Sequence, residues 1–298
     1  MFSISQKKCY GLQRVCRVWR IARSTIYARR QRRQPGAPEL KKRGPRQIVD
    51  DVKLLEYIRH VLASSPFHGE GHRKVRAALR FGMYGISAFA VSEDRVLRVM
   101  RENSLLSAAR SPWKPEKKHE GKITTDVPNK MWGTDMTSTV LTTGRQGYVF
   151  AVVDHCAQDC IGVHVSKSAN RFEAAEPVRI AVETAFGKCE KDVAKGIALR
   201  HDCGSAYLSS HFQDEVEFLG LRTSPAFVRE PECNGVVERF FLTLKEQLLW
   251  LRQFQSIEEL RKAVVEFVKK YNSCWMVAKH DYRSPNQVRE KFILKKAA

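Results

Sequence analysis

Residues 131–154 read MWGTDMTSTVLTTGRQGYVFAVVD and contain two runs of β-branched and aromatic side chains separated by turn residues. Such runs predict β-strands, here over 131–140 and 148–154. A third run covers 161–166, and the short connections indicate an antiparallel meander. Residues 196–202 and 221–224 predict a fourth and a fifth strand. The sequence therefore predicts one sheet of five strands.

Helical signals surround these strands. Two capping boxes begin at Asn170 and Ser256, each with a Glu three residues later that can satisfy a free backbone N–H group. The first predicts a helix through Phe186, although Pro177 falls late for a first-turn proline and favours a later start or a kink. The second predicts a helix whose apolar side chains repeat at helical spacing up to Tyr271. This mixture predicts an α/β fold.

Three acidic residues stand out by their positions. Asp135 lies in the first predicted strand, Asp202 ends the fourth, and Glu238 follows after 35 intervening residues at the start of a helical segment. Three carboxylates from three separate elements form the kind of oxygen cage that holds two hard divalent cations for phosphoryl transfer. The sequence therefore predicts a metal-dependent active site built on these acids.

The residues around each acid carry a family resemblance. The motifs are Trp132-x-x-Asp135-x-Thr137, Asp202-x-Gly204-Ser205-x-Tyr207 and Asn234-Gly235-x-x-Glu238-Arg239, followed by Lys245. They resemble those of the DDE transposases and retroviral-type integrases, in particular the second-reading-frame (OrfB-type) proteins of bacterial insertion sequences. The resemblance runs from about residue 60 to residue 290. Family members commonly carry an aromatic residue at the position of Glu70, and an Arg-Pro-His element where this chain has the segment around Trp275.

This resemblance implies a fold, an activity and a cofactor. The fold is a ribonuclease-H-like mixed five-stranded sheet flanked by helices, in which the first and fourth strands are neighbours. Asp135, Asp202 and Glu238 are implied to bind two Mg²⁺ or Mn²⁺ ions when DNA is bound. The activity implied is DNA strand cleavage and strand transfer of insertion-sequence ends. Two alternatives remain: a ribonuclease-H-like DNA nuclease that does not integrate, and a catalytically decayed DNA-binding regulator.

Further residues are candidates for DNA binding. Residues seven apart on an α-helix differ by about 20° around the axis, so Lys245 is expected on the face of Glu238. Arg239 flanks the glutamate, and Asn234 is also a candidate N-cap. For Lys245 and Arg239 the alternative is an ordinary surface residue. Trp132 is the remaining candidate in the catalytic region.

Charge is concentrated in the front of the chain. The 298 residues carry a net charge of +20, and residues 1–130 contain 29 Lys and Arg against 11 Asp and Glu. Such a basic segment beside a nearly neutral one indicates an arm that grips nucleic acid and a catalytic body. Helical periodicity over 49–110 resembles a helix-turn-helix-like domain, in which Arg73 and Lys74 either contact DNA phosphates or form a solvated helix face.

The expected organisation has four parts. Residues 1–48 form a basic helical segment and linker, 49–110 the helix-turn-helix-like domain, 111–128 a linker, and 129–298 the catalytic domain with C-terminal helices. In the first part, Ser24 is expected to cap a short helix, and the Arg-rich run from Arg29 to Pro38 is expected to be an exposed linker. Residues 52–62 are expected to form one apolar helical stripe that includes Val52.

The partners and location follow from the same features. The expected partner is DNA, both transposon ends and target. The resemblance adds the upstream-frame protein, as a frameshift fusion or a separate partner, and an oligomer assembled on DNA. No apolar run reaches the ~20 residues of a membrane span, and eight cysteines without close regular spacing suit a reducing compartment. We therefore expect a bacterial cytoplasmic protein associated with the nucleoid. No CxxC pair is present, and a zinc site is not expected.

Overall fold

A computed structural model of the chain describes residues 2–3, 6–34, 48–107, 125–225 and 234–297. The chain divides into two compact units, residues 1–48 and residues 49–298. No helix in the described ranges combines the length and the apolar composition needed to cross a membrane.

The first unit contains two short strands and two helices. Strands β1 (Phe2–Ser3) and β2 (Lys8–Cys9) pair antiparallel, and helices α1 (Leu12–Val18) and α2 (Arg23–Arg32) follow. Helix α2 begins after Ala22 without a side-chain cap, so the prediction that Ser24 is its cap is wrong. The linker prediction for the Arg-rich run is also wrong as far as Arg32, because Arg and Gln are good helix formers. Residues 35–38 of that run lie outside the described residues.

Three helices open the second unit: α3 (Asp51–Ser64), α4 (His72–Phe81) and α5 (Glu93–Glu102). The side chains of Asp50 and Ser92 cap α3 and α5 by accepting from backbone N–H groups in the first turn. Their apolar faces form one cluster, with Leu54, Ile58 and Met100 fully buried. Val52 is 71% exposed and does not belong to the predicted stripe.

The described residues from 125 onward contain five strands: β3 (Met131–Val140), β4 (Gln146–Asp154), β5 (Cys160–Ser166), β6 (Ala198–His201) and β7 (Arg222–Pro225). Their order in the sheet is β5-β4-β3-β6-β7. Strands β3, β4 and β5 pair antiparallel, whereas β6 and β7 run parallel to β3. The predicted ribonuclease-H-like mixed sheet, preceded by helices, is confirmed.

Helices cover both faces of this sheet. One face packs against α6 (Arg171–Phe186) and α7 (Ser210–Phe218). Helix α6 is capped by Asn170 as predicted, and Pro177 lies inside it, so the expectation of a later start is wrong. A side chain at Gly162 of β5 would meet the Pro177 carbonyl oxygen, which explains how closely α6 approaches the sheet.

The other face packs against α8 (Gly235–Leu244), which continues into a single π-helical turn (Lys245–Leu249), and α9 (Ile257–Cys274). The side chain of Ser256 caps α9 as predicted. A 3₁₀ turn (Ala278–His280) and α10 (Pro285–Ala297) complete the chain. Arg289 of α10 pairs with both carboxylate oxygens of Asp159, at 2.6 and 3.0 Å, and so holds α10 to the connection before β5.

The three opening helices of this unit contact the catalytic region directly. Phe67, which follows α3, packs edge-on against Trp275 with ring centroids 4.9 Å apart. The main chain of His68 makes two hydrogen bonds with the side chain of Gln247 in the π-helical turn, at 2.8 and 3.0 Å. The helical region is therefore attached to the turn that follows the Glu238 helix.

Candidate active site

Strand pairing positions the first carboxylate. Asp135 of β3 lies opposite Ala151 of β4, and directly paired residues point to the same face of a sheet. Ala151 belongs to the apolar cluster that α8 and α9 cover, so the Asp135 side chain points toward α8. Its Oδ1 accepts a hydrogen bond from the backbone N–H of Met136 at 2.7 Å.

The second carboxylate follows directly after β6. Gly133 pairs with Arg200 in parallel register, and continuing this register by two residues brings Asp202 beside Asp135. The Asp202 Oδ1 accepts from the N–H of Gly204 at 2.9 Å, an Asx turn that orients the carboxyl group. The buried imidazole of His201 donates through Nδ1 to the Asp202 carbonyl oxygen at 2.7 Å and fixes its main chain.

Glu238 supplies the third carboxylate from the first turn of α8, which contacts both β3 and β4. Its side chain lies on the exposed side of the helix. The sequence predicted that Lys245 lies on the same α-helix as Glu238. In the structure the α-helical hydrogen bonding ends at Leu244, and a π-helical turn begins at Lys245. The positive charge of Lys245 nevertheless acts on Asp135.

Electrostatic coupling joins these four residues into one site. Burial, together with the negative charges of Asp202 and Glu238, raises the pKa of Asp135 to about 6. The hydrogen bond from Met136 and the charge of Lys245 act in the opposite direction. Asp135 is therefore a carboxylate held among like charges, an arrangement that a bound cation relieves.

The donor set suits Mg²⁺ or Mn²⁺, because both prefer carboxylate oxygens. Among the described residues, however, no three His, Cys, Asp or Glu side chains are gathered closely enough to form a complete ligand set. Asp135, Asp202 and Glu238 therefore do not form a closed ligand set in this structure. The suitability of this site for Mg²⁺ or Mn²⁺ rests on the carboxylate chemistry of the three acids and on the effect of Asp202 and Glu238 on the pKa of Asp135.

The neighbouring acids Asp154 and Asp159 have structural partners. Asp154 is fully buried and accepts from the backbone N–H groups of Asn129, Cys156 and Ala157. Asp159 is bound by Arg289. These contacts agree with strand ends and turns and leave both acids outside the metal-binding set.

Two of the predicted DNA-binding residues lie inside the protein. Trp132 is 0% exposed, and its indole N–H donates to Asn129 Oδ1 at 3.2 Å, so the structure contradicts a DNA contact by its side chain. Asn234 is 4% exposed. It precedes α8 as predicted, but its side chain does not cap the helix and instead donates to the Thr134 carbonyl oxygen at 3.1 Å. Arg239 is exposed beside Glu238.

The two candidates in the helical region have intramolecular partners. Arg73 donates to Glu93 at 2.8 Å and is otherwise exposed. Lys74 is largely buried, with its Nζ 2.9 Å from the centre of the Trp275 ring and 3.9 Å from Glu70 Oε1. The Lys74 ammonium is therefore held by an aromatic ring and a carboxylate and is turned away from solvent.

Sequence reasoning assigned no role to several residues that surround the acids. Tyr207 was visible only as part of the second motif, and its ring stacks on His201 beneath the site. Burial raises the pKa of Tyr207, and the charges of Asp135 and Asp202 raise it further, which places its hydroxyl near both acids. His155 is 2% exposed and lies beside Gly133. The contact between His155 and Gly133 depends on how β3 and β4 pack together, and no local sequence pattern predicts it.

A mixed sheet in this order, with acids on two adjacent parallel strands and on the following helix, defines an integrase-like catalytic core. Residues 219–274 match the family model described as "Integrase core domain". The chain is 26% identical over 281 residues to transposase InsD of the insertion element IS2A/D/F/H/I/K of Escherichia coli, covering 93% of this chain and 90% of that protein. Transposase InsD of element IS2-9 from E. coli strain K12 is equally similar, with 89% of its length covered.

A chain of the simian T-cell lymphotropic virus intasome in complex with PP2A regulatory subunit B56 gamma is 18% identical, with a TM-score of 0.46 and 74% of each chain covered. The sequence similarity and the matched core domain confirm the predicted resemblance to insertion-sequence transposases with an integrase-like core. Proteins of this class are polynucleotidyl transferases, so the predicted enzyme class is confirmed as well.

Proposed function

We propose that this chain cleaves the DNA ends of an insertion element and joins them to target DNA, using Asp135, Asp202 and Glu238 as metal ligands. The observation that carries the proposal is the strand register that brings Asp202 beside Asp135, with Glu238 on helix α8 over the same face of the sheet. Two Mg²⁺ or Mn²⁺ ions, when bound with DNA, would activate the attacking water or 3′-hydroxyl and stabilise the leaving 3′-oxygen.

Each residue of the site has a defined task in this proposal. Asp135 is held by β3 and by the Met136 N–H group, and Asp202 by its Asx turn, so both present carboxylate oxygens from rigid elements. Glu238 approaches from α8 on the solvent side. Lys245 and Arg239 lie near the acids with positive charge, which suits contacts to the phosphates of the DNA end.

We further propose that sequence-specific recognition of the element ends comes from an upstream-frame segment or partner, and that the active form is an oligomer assembled on DNA. The basic front of the chain supports binding to the DNA backbone, which carries no sequence information by itself. A competition assay between terminal-repeat DNA and random DNA tests this point. A preference of about a thousandfold, the lower end for specific binders, would show that this chain recognises its ends unaided.

The activity itself is tested with a labelled terminal-repeat duplex, a plasmid target and Mg²⁺. Wild-type protein is expected to nick the end and to form joined product, whereas Asp135→Asn and Glu238→Gln are expected to form neither. The matched controls are Asp214→Asn and Glu217→Gln, because both acids are exposed on α7, on the opposite face of the sheet. Both controls are expected to retain activity.

The same assay separates the two alternatives. Nicked ends without joined product would indicate a nuclease that does not integrate. DNA binding without any cleavage by wild-type protein, in Mg²⁺ and in Mn²⁺, would indicate a DNA-binding regulator with a decayed core. Full joining by Asp135→Asn or Glu238→Gln would refute the assignment of these acids.

A further inference from the structure

The buried side chain of Asn234 bridges two elements of the active site. Its Nδ2 donates to the carbonyl oxygen of Thr134, the residue directly before Asp135, at 3.1 Å. Asn234 itself is the N-cap residue of α8 and stands four positions before Glu238. The amide orientation is fixed, because a backbone carbonyl oxygen only accepts hydrogen bonds. One hydrogen bond therefore joins the strand that carries Asp135 to the helix that carries Glu238.

The space around this amide is formed by Gly133 and His155. A Cβ atom added to Gly133 would lie 2.7 Å from Asn234 Oδ1 and 3.0 Å from His155 Nε2, so only glycine fits there. Among the residues that the structure describes, neither Asn234 Oδ1 nor the two ring nitrogens of His155 have a hydrogen-bond partner. Burial lowers the pKa of His155 to about 4, so the imidazole beside the amide is neutral. The amide is confined on this side by main chain and by an uncharged ring.

This arrangement is unusual for an N-cap residue. An Asn at this position ordinarily accepts a hydrogen bond from the first turn of its own helix. Here the side chain leaves the helix end without that bond and reaches across to a strand 100 residues earlier in the chain. A side chain used in this way fixes the distance between two elements at the expense of local helix stability.

We propose that Asn234 is a positioning residue that sets the separation of Asp135 and Glu238 and thereby the affinity of the site for divalent cations. Asn234 is too deeply buried to contact DNA, and it acts through the Thr134 main chain and the start of α8. Gly133 and His155 lie close to its amide oxygen. The inference rests on the proposed function, because it takes the two acids as metal ligands.

The test is titration of the full-length, DNA-free protein with Mn²⁺ alone, with free Mn²⁺ followed by electron paramagnetic resonance. Asn234→Ala is expected to weaken Mn²⁺ binding by about 10- to 100-fold, the usual effect of removing a group that orients metal ligands. If this variant does not fold, Asn234→Ser, which retains an N-cap side chain and a shorter donor, is expected to weaken binding in the same direction.

Asn272→Ala is the matched control. The Asn272 side chain also bridges two elements, because it donates to the Cys160 carbonyl oxygen at 2.8 Å and accepts from the Cys160 N–H at 2.9 Å. Both of these hydrogen bonds go to β5 rather than to β3 or α8. This control is expected to lower the melting temperature while leaving Mn²⁺ affinity within about twofold of wild type, the scatter expected of a site whose ligand-orienting groups are untouched.

Two failures are distinguishable. If Glu238→Gln binds Mn²⁺ as tightly as wild type, the acids are not the metal ligands and the proposed function fails. If Glu238→Gln loses binding but Asn234→Ala keeps wild-type affinity and only melts earlier, then Asn234 has a purely structural role and the positioning inference alone is overturned.

Discussion

The substitution Asp135→Asn is expected to inactivate the enzyme and at the same time to stabilise the metal-free protein. Burial and the charges of Asp202 and Glu238 raise the pKa of Asp135 from 3.8 to about 6. The ionised carboxylate therefore lowers the stability of the folded protein. Asparagine has nearly the same shape and keeps the oxygen that accepts from Met136. It removes the charge and therefore the repulsion.

The magnitude follows from the pKa shift. About two pKa units correspond to about 3 kcal/mol at neutral pH, at 1.36 kcal/mol per unit. Asp135 is only half-buried, and water screens part of the repulsion, so we expect a gain of about 1–2 kcal/mol in the free energy of unfolding at pH 7. A gain of this size is measurable by urea unfolding in the presence of a chelator.

The pH dependence fixes the sign of the effect. The folded-state pKa of Asp135 lies above its unfolded value, so the cost is fully present above about pH 6 and disappears as the carboxyl group is protonated toward about pH 4. The advantage of Asp135→Asn over wild type is therefore expected to be largest at pH 7–8 and absent near pH 4. Asp214→Asn, which neutralises an exposed acid, is expected to show no such dependence.

Saturating Mn²⁺ is expected to reverse the order of stability. A ligand at about 100 times its dissociation constant stabilises the folded state by about 2.7 kcal/mol, and only wild type retains the full ligand set. The reasoning is refuted if Asp135→Asn is less stable than wild type at pH 7 in chelator. It is also refuted if Mn²⁺ stabilises both proteins equally.

Two further predictions concern packing outside the active site. Gly162→Ala is expected to destabilise the protein by about 1–3 kcal/mol or more in urea unfolding, because the added methyl group meets the carbonyl oxygen of Pro177. Gly235→Ala is the control, because a methyl group added there meets nothing within 4 Å. An equal effect of the two substitutions would contradict the close approach of α6 to β5. Lys74→Met is expected to lower the free energy of unfolding by about 3–5 kcal/mol, because it leaves the buried carboxylate of Glu70 without a counter-charge. The double variant Glu70→Leu/Lys74→Met is expected to be at least as stable as wild type. A double variant less stable than wild type would show that the ion pair is itself stabilising.

Local signals in the sequence predicted much of this structure. The bounds of the strands around Asp135 could be predicted to within a few residues, because each strand of an antiparallel meander is a short apolar run bounded by turn residues. The caps at Asn170 and Ser256 could be predicted because each forms a hydrogen bond within its own helix. Ser24 is not the cap because helix α2 begins at Arg23, two residues before the start that a Ser24 cap implies, and its N-cap residue Ala22 makes no side-chain hydrogen bond.

Long-range packing was not predictable in the same way. The hydrogen bond from Asn234 to Thr134 spans 100 residues, so the sequence indicated the N-cap position but not the partner. Seven-residue spacing from Glu238 to Lys245 assumed an unbroken α-helix, and nothing local marked the π-helical turn.

Two departures from the family pattern turn out to be neighbours. Glu70 replaces a common aromatic residue, and Trp275 lies where the family has a different element. In this structure Lys74 contacts both of them, with its ammonium over the Trp275 ring and near the Glu70 carboxylate. The two departures therefore form one packed cluster, which supports an intact connection between the helical region and the catalytic region.

The central claim is that Asp135, Asp202 and Glu238 jointly hold the catalytic cations. It is tested most directly by a crystal structure of the protein with a DNA end and Mn²⁺, with the metal positions taken from anomalous scattering. We predict two peaks about 3.5–4 Å apart, with carboxylate oxygens of all three residues as ligands. Cations bound elsewhere on the protein, or a site in which Glu238 does not contact either ion, would contradict the account.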